Sequence, residues 1–163
     1  MDRIEILRKY IDGILVNMTD VEERRHAYVH LYGVAQVCAL LALKRKEDVE
    51  LAIMAGMLHD ICSYARMDRE DHARKSALMA EVILTELKVA DEEEIKLICQ
   101  AIANHNQKER IDSPQDEVLK DADTFQFWLY NPLVEIPAPA RKIRCDRVMA
   151  ELGLSYGTGL KDR

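Results

Sequence analysis

The pair His59-Asp60 closes the most apolar stretch of the chain, Leu51 to Leu58. A carboxylate carried there is expected in the interior, where burial without a partner costs several kcal/mol; a cationic side chain or a metal ion is the usual remedy. The next Lys or Arg after the pair is Arg66. One such pair could be a polar plug made of a His–Asp hydrogen bond. Other titratable residues sit on similarly apolar faces, however. His30 shares its face with Val34 and Val37, and His72 with Ser76, Met79 and Ile83. His105 extends the stripe Ile95, Ile98, Ile102, and Asp123 lies between Leu119 and Phe127. Four histidines and two aspartates on five predicted helices are hard to explain separately. Imidazole and carboxylate are ligands for iron, manganese, zinc and similar divalent ions, and helical bundles build metal sites from side chains that converge from facing helices.

The elements that must position them are helical throughout. The periodicity predicts helices over residues 2–18, from Thr19 or Asp20 to 44, 48–64, 69–87, 91–105, 113–130 and 140–152. Pro114 marks the start of the sixth, and Gly153 stops the last. The third is apolar on every side and belongs in the middle of the fold. Residues 131–139 carry three prolines and read as a loop. No stretch makes a convincing strand. The expected architecture is an all-α, single-domain bundle of about six to seven helices over residues 1–153, with a flexible tail at 154–163.

The series His30 (HLYGVA), His59-Asp60 (MLHDI) and Asp123 (LKDADTF) resembles the HD-domain superfamily, named for its His…His-Asp…Asp pattern. The match spans residues 27–129, with three separated motifs in the family's order. The resemblance implies that His30, His59, Asp60 and Asp123 hold one ion. His72 and His105 match the extra histidines of a dinuclear subset, in which Asp60 would bridge to a second ion completed by them. It thus implies one or two divalent transition-metal ions, iron, manganese or another. In one place the pattern departs. Many members follow the pair with glycine and lysine, the lysine facing phosphate; here Cys62 and Ser63 follow Ile61. Lys108 or Arg66 could serve as the phosphate-binding cation instead.

The same resemblance implies a metal-dependent phosphohydrolase acting on a phosphate ester or anhydride of a small metabolite, a nucleotide above all, with Asp60 orienting the attacking water. Two alternatives stay open: a di-iron oxygenase on the same scaffold, and a metal- or nucleotide-binding sensor without turnover. His26, one turn before His30, reads as a rim residue. Asp121 is the rival of Asp123, but the two lie about 200° apart around a helix. Phe125, Phe127, Trp128 and Tyr130 read as core packing, with base stacking the alternative.

The formal net charge of −6 argues against a polymeric nucleic-acid partner. Neither a signal peptide nor an apolar run of about 18 residues is evident, so a cytoplasmic protein without a membrane partner is expected. The four cysteines form no CxxC pair and read as reduced thiols.

Overall fold

The computed structural model describes residues 2–136 and 138–155. Among them run eight helices: α1 (Arg3–Val16), α2 (Val21–Arg45), α3 (Val49–Leu58), α4 (Ile61–Arg66), α5 (His72–Leu87), α6 (Glu92–Asn104), α7 (Pro114–Tyr130) and α8 (Pro139–Glu151). No described residue lies in a strand. The starts are set by short polar side chains that accept from otherwise unpaired backbone N–H groups. Asp20 accepts from Glu22 and Glu23, and Asp48 from Leu51. Asp91 and Glu94 form a reciprocal capping box, and Ser113 caps α7 ahead of Pro114.

As its composition requires, α3 is the buried centre. Leu51, Ala52, Met54, Ala55, Gly56, Met57 and Leu58 are all buried, against α2, α6, α7 and α1. The pairs α5·α6 and α7·α8 close the outside. All four cysteines are free thiols.

The structure differs from the sequence-based expectations in three places, and a fourth expectation falls mostly outside the described residues. The helix expected over 48–64 is broken at His59-Asp60, which gives α4 and takes the count to eight. The helix expected from residue 69 starts at His72, because Met67 and Asp71 take left-handed backbone conformations (φ 51° and 48°) that end one helix and turn the chain into the next. The tail expected at 154–163 falls mostly on 156–163, outside the described residues. Finally, α2 is long and apolar enough by length and composition to cross a membrane, which the sequence reading denied. Its Ala27, Leu31, Val34, Ala35, Val37, Cys38, Leu41 and Ala42 are instead buried within the bundle, as in a core helix.

A charged network fastens α8 to α7. Arg144, 3% exposed, donates to Glu117 Oε2 and Asp121 Oδ1, both at 2.8 Å, and to the carbonyls of Lys108 (2.7 Å) and Arg110 (2.9 Å). Arg45 and Arg147 complete the shell of Asp121. Asp121 is thus a fully buried ion-pair partner on the far side of α7 from Asp123. Burial raises the Glu117 carboxyl, but hydrogen bonds from Arg144 and the Asp112 amide outweigh it and bring it from 4.5 to about 2. A depressed folded-state value stabilises the fold above the unfolded value and loses that contribution as pH falls. The fold should therefore weaken between pH 4.5 and about 2. In Glu117→Gln that part of the acid dependence should be missing, as read from denaturant midpoints across this range.

Candidate metal centre

Two ligand candidates stand at helix C-termini, where the last carbonyls have no helical N–H partner. His59 follows α3 and donates Nδ1–H to Gly56 O at 2.8 Å; His105 follows α6 and donates Nδ1–H to Ile102 O at 2.7 Å. A carbonyl can only accept, so both rings carry their proton on Nδ1 and turn a lone pair on Nε2 inward. His30, in the middle of α2, is set the same way by Gln126 Oε1 at 2.8 Å from its Nδ1. Gly33, one turn along α2, makes that contact possible: a Cβ there would lie 2.9 Å from the Gln126 amide nitrogen.

Asp60 occupies the break between α3 and α4 at φ −118°, ψ 16°, and its carboxylate makes no capping hydrogen bond. It is turned to the histidines instead. Its Oδ2 lies 3.5 Å from His30 Nε2 and 3.6 Å from His59 Nε2; its Oδ1 lies 3.6 Å from His72 Nε2 and 3.5 Å from His105 Nε2. Asp123, from the middle of α7, brings Oδ1 to 3.6 Å from His30 Nε2 and 3.8 Å from His59 Nε2. The structure therefore brings together all six residues singled out from the sequence. Five of them form two groups able to hold an ion, His30, His59 and Asp60, and Asp60, His72 and His105, with Asp123 beside the first.

Two observations test whether a divalent cation fits. Among the described residues, Asp60 Oδ1 is the one buried side-chain oxygen or nitrogen that no donor reaches. The Nε2 atoms of His30 and His59, both lone-pair-bearing in the tautomers just assigned, stand 3.1 Å apart. Facing lone pairs repel unless a positive centre lies between them. Ligands at about 2.1 Å around a tetrahedral ion stand about 3.4 Å from one another, close to the spacings found here. The residues fit.

The electrostatics agree. Burial lowers the His59 imidazolium to about 4. Burial also opposes charge on His30, but Asp60 and Asp123 outweigh it and the net shift is upward. Both carboxyls are lowered against burial, Asp60 chiefly by His59 once that ring is protonated, Asp123 chiefly by Lys108. Two carboxylates surrounded by inward lone pairs favour a cation.

The cluster opens into a cavity of about 570 Å³ whose lining includes Asp60, His72, His105 and Asp123. His26 stands at its rim, stacked on His30 with ring centroids 5.9 Å apart and its Nδ1 3.0 Å from the Tyr64 hydroxyl. The two cations considered for phosphate are elsewhere. Arg66 is exposed and does not line the cavity; Lys108 is buried behind Asp123, 2.6 Å from its Oδ2. Arg69 and Arg141 line it instead. The aromatic group divides: Phe125 and Trp128 are buried and stacked on each other, whereas Phe127 and Tyr130 are exposed on the cavity wall. Gln126 could have been found from its three-residue step after Asp123, which puts both on one face of α7. Arg141 could not, since nothing local places α8 beside the cavity.

The profile of the family described as HD domain matches residues 27–128. No curated protein matches the chain. Among solved structures, the chain is similar to one described as a predicted HD superfamily hydrolase from an uncultured Thermotogales bacterium. The identity is 24%, over 89% of this chain and 87% of that one, with a TM-score of 0.61. That likeness concerns the fold. With a profile that covers more than half its length and the His…His-Asp…Asp residues converging in space, the chain belongs to the HD domain family.

Proposed function

We propose that this protein is a metal-dependent phosphohydrolase that cleaves a phosphate ester or anhydride of a small metabolite, with a nucleotide as the substrate class. The observation that carries the reading is Asp60, each of whose oxygens faces two imidazole nitrogens on the wall of an open cavity. His30, His59, Asp60 and Asp123 would hold one divalent ion, and Asp60, His72 and His105 a second. Such ions supply Lewis acidity, lowering the pKa of a water and neutralising phosphoryl charge.

The chain's own groups do the rest. Asp60 orients the attacking water, since its carboxylate lies on the cavity wall rather than in a helix cap. Arg141 and Arg69 bind the phosphate; Arg141 is held over the Phe127 ring, 5.6 Å from its centroid, and Arg69 is paired with Glu23 at the surface. Phe127 and Tyr130 offer exposed rings on which a base can stack. The Tyr64 hydroxyl, 3.0 Å from His26 Nδ1, fixes that ring at the mouth.

The test is metal content of the purified protein, then phosphate release from a nucleotide panel before and after chelation and re-addition of manganese or iron. Bound metal with chelator-sensitive release supports the reading. Turnover only with iron and oxygen, without phosphate release, would move the assignment to an oxygenase. Metal without any turnover would leave a sensor. In Arg141→Met, KM for the phosphorylated substrate should rise about tenfold while kcat changes far less, as expected for lost ground-state binding. An unchanged KM would remove Arg141 from the phosphate site.

A further inference from the structure

Lys108 is 6% exposed and does not line the cavity. Its ammonium donates to Asp123 Oδ2 at 2.6 Å and to the Lys120 carbonyl at 3.2 Å, and its own carbonyl accepts from Arg144 Nε at 2.7 Å. The lysine is thereby fixed from both ends. Asp123 is left single-ended: Oδ1 faces His30 and His59, while Oδ2 is covered. An ion held by Oδ1 and the ammonium on Oδ2 would share one carboxylate and repel each other across it.

We propose that Lys108 is a positioning residue that acts as a resident counter-cation for Asp123, keeping the centre folded before an ion arrives and lowering the affinity of the ion that does. The inference rests on the metal-binding reading above but not on the reaction catalysed. By linkage, the two effects are one coupling seen from two sides. Whatever affinity the lysine takes from the ion, the ion takes from the lysine's contribution to stability. Removing the lysine leaves a buried carboxylate without its partner in the stripped protein, whereas a bound divalent ion replaces that partner.

The experiment compares wild type, Lys108→Met and Lys108→Gln, the last keeping a hydrogen-bond donor without charge. Thermal unfolding is measured in chelator and in saturating manganese, and the manganese Kd by competition with a chromophoric chelator. Both variants should lose roughly 10 °C in chelator and recover about half of it with manganese. Both should bind manganese about tenfold more tightly than wild type. A variant that folds only with manganese would give the same support. Equal losses with and without metal, failure to fold even with manganese, or an unchanged or weaker Kd would each overturn the proposal, leaving Lys108 as packing or as a metal-site support of the ordinary kind. If wild type itself takes up no manganese, the metal-binding reading falls and this one with it. Uptake by wild type with no gain in the variants sinks this proposal alone.

Discussion

Asp60→Asn is expected to remove metal binding and turnover while leaving the stripped protein at least as stable as wild type. The two halves of that outcome have separate causes. Loss of groups that merely orient a metal's ligands costs about 10–100-fold in affinity or activity, and Asp60 is proposed as a ligand shared by both ions, so its loss should exceed 100-fold in each. Stability moves the other way. In the wild type Asp60 Oδ1 is buried and reached by no donor, which is a cost to the fold rather than a contribution. An asparagine of the same shape carries no charge, and its amide can donate to the inward lone pair of His105. A melting curve in chelator should therefore shift little or upward. Added manganese should raise the wild-type Tm by binding only the folded state and should leave the variant's Tm in place. A variant that keeps its metal, or that melts several degrees lower in chelator, would show that Asp60 holds the fold rather than an ion.

Gly56→Ala should damage fold and site together. Alanine is the better helix former by about 1 kcal/mol, so propensity alone favours the change. Contact opposes it. A Cβ at residue 56 would lie 2.7 Å from Ala35 Cα and 2.9 Å from Ala35 N, backbone atoms of α2 that cannot rotate aside, with Cys38 Sγ at 3.2 Å. Relief requires α3 to move off α2, and such overpacking costs typically 1–3 kcal/mol, occasionally more. The steric effect should win, lowering Tm by several degrees. His30 rides on α2 and His59 at the end of α3, so the movement opens the 3.1 Å approach of their Nε2 atoms. Metal affinity should fall with stability, a coupled loss that Asp60→Asn does not show. A Gly56→Ala protein that melts higher and binds metal normally would refute the close helix contact.

Local patterns accounted for most of the framework, because helix starts and buried faces are written in nearby residues. Asp20, Asp48, Asp91 and Ser113 cap helices where short polar side chains precede periodic runs. The six-residue cluster was legible for a related reason: polar groups on apolar faces must meet one another or something else. The break at His59-Asp60 was not legible, since no glycine or proline marks it. The carboxylate is set among imidazoles from α2, α5 and α6, and only the assembled bundle brings these groups together. The misplacement of Lys108 has the same origin. A lysine three residues after a ligand reads as a rim cation until α7 brings Asp123 and the Lys120 carbonyl against it. Nor could residue spacing alone divide Phe125 and Trp128 from Phe127 and Tyr130; the shape of the cavity does.

The fastening of α8 onto α7 has a consequence in time. Arg144, near the end of the chain, fixes Glu117 and Asp121 on α7 and the carbonyl of Lys108. The same turn of structure sets where Asp123 points. A growing chain would thus carry its histidines and Asp60 well before the last carboxylate is locked in place. A centre that holds an ion would thus be completed only when α8 docks, so retention of an ion would mark a molecule in which α7 and α8 have joined.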